Sequence, residues 1–127
     1  MSLLQTKTLA AEVDAYAPDG SEVRLLAGLK GASFAHFTLP PWGVSVAVAH
    51  RTVEEIWYVV AGGGEVWRRL GDEESVTAVA PGVALTIPLA AHFQFRAAAA
   101  GLSFVAATLP PWPGAEEAFP VTGKWEA

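Results

Sequence analysis

The chain of 127 residues has no cysteine. That removes a disulfide framework, a thiol nucleophile and a thiolate metal site, and it agrees with a reducing compartment. Basic residues are also scarce: eight Lys and Arg stand against 13 Asp and Glu, a formal net charge of −5. They form no basic run, so neither nucleic acid nor an anionic membrane is an expected partner. Nothing approaches the ~18 consecutive apolar residues of a membrane span, and the opening "MSLLQTKTLAAEV" is too short in its apolar part for a secretory signal. A cytoplasmic location is expected. Helical patterns are nearly missing, with only residues 8–15 and the "AAAA" of 97–100 favouring a helix. Serine never stands in a nucleophile elbow, and with three histidines no Ser-His-Asp order is convincing, so a covalent hydrolase is not expected.

What the chain does have is hydrophobic substance: 52% hydrophobic residues, five Trp and six Phe. That is ample for one well-filled domain rather than a disordered chain. Twelve Gly and nine Pro cut it into short segments at 22–29, 32–39, 44–50, 54–61, 65–70, 75–80, 83–88, 92–96 and 102–109. Several of these alternate with period two and are rich in Val, Phe, Trp and Thr, which predicts an all-β sandwich or barrel. "DEE" (72–74) and "PG" (81–82) read as turns, and "GGG" (62–64) as a hairpin. One segment echoes another: "GASFAHFTLPPW" (31–42) returns as "GLSFVAATLPPW" (101–112), with both Pro-Pro-Trp ends placed to close strands.

Alternation also sorts the polar residues by face. In 44–50, Val44, Val46, Val48 and His50 share one side. In 54–60, Glu55 goes with Trp57 and Val59, while Glu54 goes with Ile56, Tyr58 and Val60. In 92–95, His92 and Gln94 lie opposite Phe93 and Phe95. If the valines line an interior, His50 enters it, and Glu55 and His92 join it in a suitable register. Two imidazoles and a carboxylate would then suit one divalent first-row metal with open coordination positions. A buried glutamate requires some such partner; a metal, Arg51, Arg69, Arg96 or a protonated imidazole would each serve.

Residues 20–112 resemble a small single-domain cupin of the conserved-barrel type. "GVSVAVAHRTVEEIWYVVAG" (43–62) covers that family's first motif, with six residues between Glu55 and Gly62, and "GVALTIPLAAHFQFR" (82–96) covers the second, with five residues between Gly82 and Pro88. The departures are Val48 at the first histidine place, a second motif one residue short before His92, Ala90 in place of Gly and Arg96 in place of Asn.

The resemblance implies a cupin-type jelly-roll β-barrel over 21–112, with residues 1–20 packing on it and 113–127 as a tail. It also implies a homodimer. The functional expectation is a protein acting on a small molecule as a dioxygenase, isomerase or decarboxylase. One divalent metal (Zn, Fe, Mn or Ni) would be held by His50, Glu55 and His92, with Glu54 or Gln94 assisting the chemistry and Trp57 and Phe95 lining the pocket. The alternative is a non-enzymatic sensor of a carbohydrate or small acid, suggested by the depleted ligand set.

Overall fold

The computed structural model describes residues 3–127; the first two residues of the expected N-terminal segment lie outside that range. The strands are β1 (Ala15–Tyr16), β2 (Glu22–Gly28), β3 (Ser33–Leu39), β4 (Val48–His50), β5 (Glu54–Leu70), β6 (Glu73–Val79), β7 (Ala84–Ile87), β8 (His92–Leu109) and β9 (Ala118–Pro120). A single turn of 3₁₀ helix, Ala115–Glu117, precedes β9. The all-β expectation holds.

Two strands are far longer than their sequence suggests. Segments 54–61 and 65–70 are one continuous β5, and 92–96 and 102–109 are one β8 that absorbs "AAAA". The triple glycine is therefore a bend inside a strand and not a hairpin. Register slips between Val59 and Ala61 and between Gly62 and Gly64 as β5 runs antiparallel to β8. A Cβ on Gly64 would fall on the carbonyl oxygen of Arg96, and one on Gly62 on that of Gly101. Only glycine lets the two backbones approach this closely. Ala97 joins the ladder opposite Gly64, and residues 98–100 carry β8 across the register slip to Leu102, helix propensity being only a weak prior.

The bend divides the sheet into two facing walls. One has the order β1-β2-β3-β8-β5-β7, using the C-terminal half of β8 and the N-terminal half of β5. The other runs β9-β4-β8-β5-β6 through the remaining halves. Trp57 and Phe104 face inward from the first wall and meet Phe93 and Phe95 of the second. Trp57 stacks on Phe104 at 3.9 Å and meets the other two edge-on at 5.6 and 5.3 Å. The echoed segments become neighbours: β3 pairs along its whole length with the C-terminal half of β8, from Ser33 opposite Thr108 to Leu39 opposite Leu102.

Both chain ends lie along the barrel. Arg24 bonds the carbonyls of Ala10 and Ala11, and Asp14 accepts the Leu25 amide. At the other end β9 pairs with β4. Segment 44–50 is shorter as a strand than its pattern predicts, and Val46 is exposed because its amide leaves the ladder to bond the Asp19 carbonyl.

Candidate functional site

A cavity of about 430 Å³ opens between the walls. Its lining is mostly apolar, with Phe37, Trp57, Phe93, Phe104 and Trp112 as the large surfaces. Polar character comes from Asp19, Ser33, His50, Glu55 and Thr108. His50 ends β4 at 4% exposure. Its ring meets Phe93 and Trp112 edge-on at 5.2 and 5.4 Å, and its Nδ1 has no hydrogen-bond partner among the described residues. Glu55 enters from β5 opposite Thr108. Trp57 Nε1 donates to one carboxylate oxygen at 2.9 Å, and the Thr108 hydroxyl donates to the other at 2.8 Å.

The third ionisable group is Asp19, at the tip of the β1–β2 hairpin. "APDGS" (17–21) closes there through a Gly20 amide to Ala17 carbonyl bond of 2.8 Å, with Gly20 at φ +96°. Proline fixes the first turn position and glycine supplies the positive φ, so the aspartate between them is presented inward. The Ser21 amide and hydroxyl donate to its Oδ1 at 2.9 and 2.6 Å. Nothing in the strand pattern pointed to Asp19. The Pro-Asp-Gly turn signal was available, but a turn reads as surface until a barrel mouth closes over it.

The two walls with this strand order superpose on known barrels. Oxalate decarboxylase from Bacillus subtilis matches at TM-score 0.76 and 13% identity, over 90% of this chain and 31% of that one. CapF, the capsular polysaccharide assembling protein of Staphylococcus aureus, matches at 0.72 and 14%, over 91% of this chain and 35% of that one. KdgF from Halomonas sp. matches at 0.68 and 16%, over 86% and 97%. The fold is a cupin jelly-roll barrel. The chain spans about a third of the length of the oxalate decarboxylase and CapF chains. No family model matches it, and no curated protein does.

Within this cupin barrel, His50, Glu55 and Trp57 line the cavity together. His92 does not. Phe93 sits opposite Val48 in the ladder and turns inward with it, which sends His92 and Gln94 to the outer face. There Gln94 is fully engaged by the tail: its Nε2 donates to the carbonyls of Ser45 and Trp125, and its Oε1 accepts the amides of Lys124 and Trp125. These bonds tie the tail to β8 and to the segment before β4. Glu54 is exposed on the outward side of β5. Phe95 lies deeper than the cavity, buried against Trp57 and Phe104, and Phe93 takes the wall position expected of it. Trp112 lines the cavity as well, unlike Trp42, which is exposed at its strand end. His36 lies outside, half-buried across from Arg24.

The metal that the resemblance implies does not fit these residues. Of the three expected donors only two share the cavity. Among the described residues no three of His, Asp or Glu come together as a metal-binding group.

Burial governs the protonation of the cavity groups. It raises Glu55 above the ordinary 4.5, against the pull of the Trp57 and Thr108 bonds. It raises Asp19 above 3.8, opposed by its Ser21 bonds and reinforced by the charge of Glu55. It lowers His50 below 6.5, against the attraction of Glu117 and Asp19. Glu117 behaves oppositely: burial would raise it, but bonds from the Thr52 hydroxyl and the Thr52 and Val53 amides hold it below the usual range.

A pH dependence follows. Above pH 4.5 an unfolded glutamate has lost its proton while Glu55 retains one, so its contribution destabilises the fold increasingly as pH climbs toward the folded value. His50 acts from the other side: stability falls as pH drops below 6.5, where the unfolded imidazole gains a proton that the folded one resists. In Glu55→Gln the slope of unfolding free energy against pH above 4.5 should be more positive than in wild type, because the opposing contribution of Glu55 is gone. Urea titrations at a series of pH values measure it. Parallel curves for the two proteins would contradict a Glu55 whose pKa is raised by burial.

Proposed function

We propose that the barrel cavity is a binding site for a small organic molecule and that it works without a resident metal. The observation that carries this is the cavity itself. Val48 and Trp57 are at its wall, yet about 430 Å³ remains between them and the opposite side, within the size range of ligand pockets. A barrel serving only as scaffold would close over that space, since empty volume forfeits packing energy. His50 adds a buried nitrogen without a protein partner among the described residues, a group whose desolvation a ligand hydrogen bond would offset.

A second reading has its own support. An imidazole whose pKa burial lowers and a carboxyl whose pKa burial raises share one cavity, and groups driven in these opposite directions suit acid and base roles in proton transfer. The fold leaves the reaction open, because one barrel hosts many chemistries.

Metal analysis and thermal shift test the proposal together. Purified protein should carry far less than stoichiometric divalent metal, and chelator treatment and His92→Ala should leave its melting temperature unchanged. Small aromatic compounds should stabilise wild type but not Ala35→Trp, which fills the cavity from β3. Stoichiometric metal that is lost in both His50→Ala and His92→Ala would restore the three-ligand centre and overturn the metal-free reading.

A further inference from the structure

The cavity's charges are all of one sign. Asp19 and Glu55 are both buried in its lining, at 8% and 6% exposure, and no Lys or Arg is among the described lining residues. The nearest compensation is hydrogen bonding, and it is incomplete. Both Ser21 donors go to Asp19 Oδ1, and among the described residues no donor reaches Oδ2. Each Glu55 oxygen holds one donor, although a carboxylate oxygen accepts two. His50, 4% exposed, contributes an acceptor once its imidazole is neutral.

The walls add a second, independent feature. Trp57, Phe93, Phe104, Phe37 and Trp112 surround the space, and aromatic walls of this kind take the apolar body of a ligand. An anion would enter a site with no positive group and two acids. A neutral ligand would leave the acids dependent on their own protons. An organic cation answers both features, its charge meeting the acids and its apolar body the rings.

We propose that the cavity binds a small organic amine as its cation, the ammonium directed to Asp19 and Glu55 and the apolar body against Trp57 and Phe93. This rests on the cavity being a ligand site and names the class of ligand it takes. It argues against the small acid that the sequence left open. Ligand entry would leave both acids ionised, because a neighbouring positive charge favours the charged carboxylate.

Three probes of similar shape test it on the full chain at neutral pH: benzylamine, benzyl alcohol and benzoate, followed by calorimetric titration. Benzylamine should bind at least about tenfold more tightly than benzyl alcohol, about one pK unit's worth of charge preference, with benzoate weakest. Asp19→Asn and Glu55→Gln should each weaken benzylamine about tenfold and leave benzyl alcohol nearly unchanged. Should either variant fail to fold, the wild-type ranking alone decides. Equal or tighter binding of benzyl alcohol or benzoate overturns the cation while keeping the cavity as a ligand site. Benzylamine binding that survives Ala35→Trp lies elsewhere and overturns the proposal. No saturable binding by any probe overturns the ligand site and this inference with it.

Discussion

Trp57→Ala should destabilise the protein by about 3–5 kcal/mol, the range for truncating a large buried aromatic. Trp57 is 2% exposed and is the hub where the two walls meet, touching Phe104, Phe93 and Phe95. Truncation widens an existing cavity instead of collapsing it, because the backbone around the site is fixed by β8 on one side and β7 on the other. The substitution also removes the indole N–H that satisfies one oxygen of buried Glu55. Trp57→Phe separates the two contributions: it keeps much of the ring contact and loses the donor, for an expected cost of about 1–3 kcal/mol. Urea unfolding followed by circular dichroism gives both values. A loss below about 1 kcal/mol for the alanine variant, less than a typical large-to-small core change, would mean that the walls do not meet at this residue.

The second large effect belongs to the bend. Gly64→Ala should cost at least about 3 kcal/mol, the upper end of overpacking penalties, because the new methyl group meets backbone, which cannot rotate away. Its Cβ would fall on the Arg96 carbonyl, across the β5–β8 ladder where Gly64 pairs with Ala97. Gly62→Ala combines a similar collision at Gly101 with a φ of +71°, adding about 1–2 kcal/mol of left-handed strain. Gly71 provides the internal control. It has φ +61° in the β5–β6 turn, and a methyl group there would meet nothing within 4 Å, so alanine should cost only about 1–2 kcal/mol. Thermal and urea unfolding of the three variants would rank them. Gly64→Ala at or below the cost of Gly71→Ala would rule out the close approach of the two long strands.

The resemblance to a cupin rested on glycine, proline and glutamate spacing, and the barrel bears it out. Spacing of that kind reflects turns and strand lengths, which are local. The face assignments of β5 were equally local: Glu55, Trp57 and Val59 are buried and alternate with exposed Glu54, Ile56 and Tyr58. Alternation within one strand follows from backbone geometry and requires no partner.

The candidate site was only half readable for the same reason. His50 and Glu55 each belong to the inner set of their own strand, but His92 required a choice between two faces of β8. Phe93 and Phe95 take the inner side, where rings need no hydrogen bonds, while Gln94, equally buried at 1% exposure, takes the side where backbone groups of Ser45, Lys124 and Trp125 satisfy its amide. Gln94 then meets a tail whose arrival nothing near residue 94 foretold, since its partners Lys124 and Trp125 lie some thirty residues on. Asp19 was invisible to strand reasoning because it stands in a turn.

Composition and period thus settled the all-β class, the faces of the N-terminal half of β5 and the absence of thiol chemistry, since each depends on residue types or on neighbours in sequence. The register of β8 against β4, the bend that turns one sheet into two walls, and the meeting of Asp19 with His50 and Glu55 were decided in three dimensions. Those are contests between distant segments for the same buried space, and their outcome depends on which residues lose least by leaving water.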